Sequence, residues 1–348
     1  MNTLRWVLLR GGTLRAGWRW LGFTVITVVL GVLTLVLSAL LYPLLPWSRS
    51  PTTDIAFQAC AALTLFVITH GIAGAILDRP WTKQTVPRPR FLTSIGLGPV
   101  RRSLFEGLLG VGVGALVLTA VIAIISSAGA SLSLARPFDG QVLLWSTIFL
   151  MAGTFEELAF RGYGFAWFGA SIIGLTQLIA AAVLRREARA TPRWPHALGW
   201  GVTVVLSAGL FGLAHQGNPS ASALSFANTV LAGIWLGVAV VRTRTLSWAI
   251  GLHIGWNVSQ ALVWGSPVSG LSERSLGEPL PSLLRWSSPT PEWWSGGAYG
   301  LEGSIVTSVV LVAATLLAAH LPRRPVLQSV TGLCWAAGHD AGSSSMGR

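Results

Sequence analysis

The stretch "VLLWSTIFLMAGTFEELAFRG", residues 142–162, is almost wholly apolar as far as Gly153 and then places Glu156, Glu157 and Arg161 within six positions. Ionisable side chains inside a membrane helix cost about 3 kcal/mol each at its centre, so three together mark a tightly paired or functional site. Glu157 and Arg161 are four apart, share a helix face and can pair. Glu156 is turned by about 100° from Glu157 and has no such partner in its own helix. Two glutamates and one arginine leave one carboxylate over. The bland alternative, a packing network that neutralises three charges, has no role for that extra group. The spacing therefore assigns Glu157 and Arg161 to a structural pair and points Glu156 at something else.

The rest of the chain agrees with a membrane setting. Hydrophobic residues make up 52% of the 348 and charged residues 10%, against about 25% charged in a typical soluble domain. Runs of about 18 or more apolar residues are candidate spans. They occur near 21–45, 55–77, 104–128, 141–164, 197–216, 222–241, 245–263 and 302–321, which predicts an all-α, polytopic transmembrane helical bundle of about eight spans. The first run is too long for a signal peptide and reads as an uncleaved span. Residues 166–184 are either a ninth span or an interfacial helix that extends the fourth. The chain divides into a basic segment 1–20, two leading spans with a basic loop over 21–103, a core over 104–321 and a tail over 322–348. The Pro/Ser/Gly-rich segment 264–301 reads as an outer loop.

The net charge of +12 raises nucleic acid as a partner, but the basic residues flank the apolar runs. Arg5, Arg10, Arg15 and Arg19 precede the first, and Arg79, Lys83, Arg88, Arg90, Arg101 and Arg102 follow the second. Such loops are cytoplasmic and face anionic lipid. The partners expected are membrane lipids, with no nucleic acid, and both termini fall in the cytoplasm when eight spans alternate. In that arrangement Glu156 falls toward the inner end of its run and His215 toward the outer end of the next. Many of the seventeen tryptophans, such as Trp47, Trp81 and Trp194, stand near run ends as interface anchors. Richness in Arg, Trp and Gly points to a bacterial inner membrane. The two cysteines, Cys60 and Cys334, form neither a metal spacing nor a disulfide framework.

Within the runs, Glu106 follows Arg101 and Arg102 by about one turn and reads as a cap or lipid-interface pair. His70 stands alone and reads as a satisfied interhelical donor. His215 and Phe211 are four apart, as are Asn257 and His253. With Glu156 they supply a carboxylate, two imidazoles and an amide on three helices, the way helix bundles build sites. Two chemistries stay open. Glu156, His215 and His253 could hold zinc with an open water position. Alternatively, Glu156 is a general base, His215 positions the water, and His253 and Asn257 donate to a developing oxyanion.

These residues, in this order, resemble the CAAX-protease and bacteriocin-processing (CPBP) family of intramembrane endopeptidases, which includes the type II CAAX prenyl endopeptidase. The matching motifs are Glu156, Glu157 and Arg161 in "EELAFR", Phe211 and His215 in "FGLAH", and His253 and Asn257 in "HIGWN". "FRGYGF" and "GGAYGLEGS" (296–304) are similar to the family as well. The connection between "FRG" and "FGLAH" is longer than the family needs. The resemblance implies that the first glutamate and the histidines are catalytic, leaves the metal requirement open, and implies a membrane-associated protein or peptide as substrate. No H-E-x-x-H, intramembrane aspartate pair or Gly-x-Ser-Gly is present for other protease types. The rival class is a non-catalytic membrane protein, a proton-coupled transporter or an interaction partner; a transporter would bring broken helices and inverted repeats, and neither is apparent.

Overall fold

The computed structural model describes residues 9–10, 13–44, 50–78, 96–135, 138–184 and 194–320. The tail 322–348 and the loops 79–95 and 185–193 lie outside the described residues. Nine helices carry the architecture among the described residues: α1 (Ala16–Leu41), α2 (Pro51–Leu77), α3 (Val100–Ser126), α4 (Gly140–Arg161), α5 (Tyr163–Leu184), α6 (Trp194–Ala214), α7 (Ala223–Thr243), α8 (Leu246–Val258) and α9 (Ile305–Ala319). α8 continues into a π-helical turn, Ser259–Val263. Among the described residues, six stretches are long and apolar enough to cross a membrane, namely Ala16–Leu44, Pro51–Leu77, Val100–Ser126, Gly140–Ala180, Trp194–Ala214 and Ala223–Thr243. α8 with its π turn and the shorter α9 fill the remaining two runs. The protein is an all-α, multi-pass integral membrane protein.

Local chemistry sets the helix starts a few residues from where the apolar runs begin. Asp139 caps α4, accepting from the backbone N–H groups of Gln141 and Val142 at 3.0 and 3.1 Å. Ser50 and Ser222 form capping boxes at α2 and α7, and Pro51 opens α2. Arg102 Nε meets Glu106 Oε1 at 2.7 Å, so Glu106 is the expected i,i+4 partner of the basic helix start.

The tightest packing joins α3 and α8, which run parallel. A Cβ on Gly251 would overlap the carbonyl oxygen of Gly107, and one on Gly255 that of Val111. These obstacles are backbone atoms that no rotamer change moves. Small residues at such crossings replace the hydrophobic drive that lipid removes. α8 then runs antiparallel to α4: His253 meets Glu157, while Ala261 and Leu262 pack in one cluster with Val142 and Phe149.

Residues 163–184 settle as an extension of the fourth run, starting at Tyr163 rather than 166. Gly162 has φ −77° and ψ −142°, which breaks the helix between α4 and α5. A Cβ there would strike His70 Nε2. His70 Nε2 instead accepts the Tyr163 backbone N–H at 3.1 Å, and His70 Nδ1 lies 2.6 Å from Phe66 O. His70 is satisfied between helices as expected, but as an acceptor across them. α6 returns beside α5 and then beside the end of α4. Thr176 Oγ1 donates to Pro195 O at 2.9 Å, the rings of Phe165 and Trp200 are 5.8 Å apart, and Ser207 Oγ donates to Phe160 O at 2.7 Å. The 22 residues of α5 carry the chain away from Glu156, and α6 brings it back to the same level. This resolves the mismatch in depth between Glu156 and His215.

A second buried pair fixes this bend. Arg19 Nη1 meets Asp78 Oδ1 at 2.8 Å, Tyr163 Oη donates to Asp78 at 2.9 Å, and the Arg19 guanidinium sits 4.1 Å from the Trp167 ring centroid. These contacts tie α1, α2 and α5 together.

Gly255→Leu is expected to abolish the folded protein, because overpacking against backbone exceeds the about 1–3 kcal/mol typical of side-chain crowding. Gel filtration of detergent-extracted protein measures this; a monodisperse variant at normal yield would contradict the α3–α8 contact.

Candidate active site

Each motif residue sits close to the end of its helix. Glu156 is in the penultimate turn of α4, His215 just follows α6, and His253 and Asn257 lie in the last turns of α8. The side chains of Glu156, His215 and His253 converge. Glu156 Oε2 is 3.7 Å from His215 Nε2 and 3.7 Å from His253 Nε2. That separation is too long for a direct hydrogen bond, and Glu156 Oε2 has no hydrogen-bond partner although it is buried. Polar atoms separated by more than about 3.5 Å are ones that a bridging water can join.

The far nitrogen of each imidazole is anchored. His215 Nδ1 lies 2.8 Å from Phe211 O, and His253 Nδ1 lies 2.9 Å from Glu157 Oε1. Since those partners are acceptors, each Nδ1 carries a hydrogen and donates it. The Phe211 ring packs against both histidines, with centroids 4.5 Å from His215 and 6.0 Å from His253. Arg161 Nη1 donates to Glu157 Oε1 at 2.9 Å, and both side chains are fully buried. The guanidinium also lies 4.4 Å from the Phe211 ring centroid, and its Nη2 is 3.4 Å from Gly233 O on α7. The face assignment from the sequence therefore holds: Glu157 pairs with Arg161, and Glu156 turns toward the histidines. Glu157 has an additional partner, His253, that spacing within one helix does not reveal.

A cavity opens beside this cluster. Phe211, His215, His253 and Asn257 line it together with Asn228, Ser269 and Glu302. The last three were not singled out from the sequence as site residues. Asn228 Nδ2 donates to the carbonyls of Glu302 and Ser304 at 2.7 and 2.8 Å. Glu302 accepts from Ser269 N–H at 2.8 Å. The segment expected to be a plain outer loop thus folds back and forms one wall. Its strand Leu284–Ser287 pairs antiparallel with Ser131–Leu134, and the Gly270 N–H donates to Tyr299 O at 2.9 Å. The only sequence signal for Glu302 was its place in "GGAYGLEGS".

For zinc, the donor types fit: two imidazole Nε2 atoms and a carboxylate oxygen, with Glu157 behind His253 as an outer partner. Their placement fits less well. Among the described residues no three His, Cys, Asp or Glu side chains are gathered closely enough to hold a metal ion.

Breaking the inner pair is expected to cost folded protein. Glu157→Gln or Arg161→Ala leaves a buried charge unpaired, at about 3–5 kcal/mol, and should lower membrane abundance by immunoblot. Normal abundance of both variants would mean that the pair does not support the bundle.

No curated protein and no solved structure matches the chain. The family model described as type II CAAX prenyl endopeptidase Rce1-like matches residues 138–259. That range holds all three motifs and most of the site. The match bears out, over residues 138–259, the resemblance carried by the motifs.

Proposed function

We propose that the protein is an intramembrane endopeptidase that hydrolyses a peptide bond of a membrane-associated protein or peptide, with Glu156 activating the water. One observation carries this reading: a buried carboxylate oxygen without a hydrogen-bond partner, flanked at 3.7 Å by two anchored imidazoles. The Rce1-like match supports the protease class.

In this reading a water sits among Glu156 Oε2, His215 Nε2 and His253 Nε2. Glu156 takes one proton from the water, and His215 Nε2 accepts a hydrogen bond from the other. The water oxygen bonds to the scissile carbonyl carbon, and the carbonyl π pair moves to oxygen. Asn257 and His253 donate to that oxyanion, a contact stronger in the transition state than in the ground state. Collapse re-forms the carbonyl and breaks the C–N bond, while the proton held by Glu156 passes to the leaving nitrogen. Charge bookkeeping suits this role for His253. Glu156, Glu157 and Arg161 sum to one negative charge, and a proton on His253, set between the two carboxylates, neutralises it.

Zinc is the cofactor that Glu156, His215 and His253 would hold if the three were drawn closer together. It would supply a Lewis acid and an acidified water. His253 would then be neutral, so the two chemistries differ in proton count.

The membrane is proposed to be a bacterial inner membrane, with both termini in the cytoplasm and lipid as the surrounding partner. Basic loops at 79–90 and 185–193 support that orientation. A reporter fused after Arg189 is expected to read cytoplasmic; a periplasmic reading would invert the proposed topology.

Glu156→Gln is expected to leave abundance unchanged and abolish cleavage, read by comparing membrane proteomes of cells with wild-type and variant protein. Identical proteomes would favour a transporter or an interaction partner. Asn257→Ala should cost about 10²–10³ in turnover, as loss of one oxyanion donor does elsewhere. Metal content of the purified variants separates the two chemistries: if Asn257→Ala also lowers bound zinc and Asn257→Asp restores both, Asn257 serves a metal.

A further inference from the structure

The cavity contains a second carboxylate that the proposed hydrolysis does not use. Glu302 stands in the turn Leu301–Gly303 ahead of α9. Its Oε2 accepts the Ser269 N–H at 2.8 Å and Gln260 Nε2 at 3.0 Å, and its Oε1 accepts Ser269 Oγ at 3.0 Å. Gln260 is held in place by a further hydrogen bond to Pro267 O. Three donors and no acceptor are what an ionised carboxylate requires. All three donors are neutral, and among the described residues Glu302 forms no ion pair with Lys or Arg. A carboxylate away from bulk water is costly to keep charged unless a cation joins it.

The aromatic part of the lining suits a cation. Trp235 and Trp256 line the same cavity, with the two indoles 6.4 Å apart at 64°. Ring faces attract ammonium and guanidinium groups, by about 2 kcal/mol or more when these are desolvated. Among the described residues, no Lys or Arg lines the cavity. The groups there able to carry positive charge are His215 and His253, and both direct Nε2 toward Glu156.

We propose that Glu302 and these two indoles form a subsite for a cationic group, an ammonium or guanidinium. Resting on the endopeptidase reading, that group is a Lys or Arg side chain, or the free amino terminus, of the peptide near the bond that is cleaved. The subsite selects the substrate, and Glu302 takes no part in the proton transfers.

The test uses the full chain in detergent, with hexylammonium and hexylguanidinium as cationic probes and hexanol and hexylurea as neutral counterparts, titrated calorimetrically. The wild type is expected to bind each cation at least tenfold more tightly than its neutral counterpart. Glu302→Gln keeps one acceptor for Ser269 and should erase that preference while the protein remains folded and monodisperse. Equal binding of cation and neutral probe by the wild type overturns the proposal without any variant. A cation preference that survives Glu302→Gln, with only the pH profile of cleavage shifted, also overturns it and makes Glu302 a partner of His215. A peptide with an acetylated amino terminus and one Lys, and one with a free amino terminus and norleucine, are then used to displace hexylammonium. Displacement by either identifies the source of the cation, and displacement by neither overturns the substrate assignment. If Glu156→Gln fails to alter any cleavage while the cation preference persists, the endopeptidase reading falls and the subsite stands.

Discussion

The contact on which the rest depends is the ion pair between Glu157 and Arg161. Two fully buried charges in one turn of a membrane helix have no water to fall back on, so protein groups have to meet them, although Glu157 Oε2 and Arg161 Nε are left without a hydrogen-bond partner. Glu157 Oε1 meets this by taking both Arg161 Nη1 and His253 Nδ1 at 2.9 Å. Arg161 reaches Gly233 O and lies over the Phe211 ring, and the Phe211 carbonyl receives His215 Nδ1. A single pair on α4 thereby reaches α6, α7 and α8. It also orients both imidazoles, because each Nδ1 is committed and each Nε2 is left to face Glu156. The pair is costly to bury and costly to break, but breaking is worse, since it strands one charge in a dry interior. Adjacent glutamates therefore have different fates: Glu157 is held by Arg161 and His253, whereas Glu156 Oε2 faces the two Nε2 atoms at 3.7 Å.

The second constraint is geometric. α4 has to present Glu156 at the level where α6 ends and α8 nears its π turn. The Gly162 break, received by His70 and latched by Arg19, Asp78 and Tyr163, sets the axial position of the last turn of α4. The backbone contact between α3 and α8 does the same for His253 and Asn257, because Gly251 and Gly255 stand on that helix with no side chain between it and α3. Both devices are remote from the cavity and both act on the height of a helix, which is what decides whether three polar atoms meet or miss.

Much of this was legible in the sequence, for reasons that lipid enforces. A bilayer admits only helices with internally satisfied backbones, so eight apolar runs become helices whose limits move by a few residues at Ser50, Asp139 or Ser222. The division of labour between Glu156 and Glu157 was legible because helical rotation is fixed. The bond from Glu157 to His253 was not, since it joins positions 96 residues apart and no periodicity encodes it. Residues 163–184 were ambiguous because apolar length alone does not separate a new span from an extension; the outcome turned on Gly162 and His70, whose partnership is tertiary. Glu302 was missed as a site residue because it sits at a loop edge, where a carboxylate is ordinarily solvated.

Glu302 also shows why the site lies where it does. Glu156, His215, His253, Asn257 and Glu302 all lie near a helix end or beside irregular backbone. In a membrane protein, non-helical backbone at depth is tolerated where protein or a polar cavity satisfies it. Folding the 264–304 segment back between α7, α8 and α9 meets that condition. The Asn228 amide takes the carbonyls of Glu302 and Ser304, and the Glu302 carboxylate takes the Ser269 N–H and Oγ. The same hydrogen bonds that make irregular backbone affordable at this depth also wall off a polar pocket beside Glu156. The pocket is thus a consequence of closing the fold, and its acidic, aromatic lining is the part of the site that the three motifs do not specify.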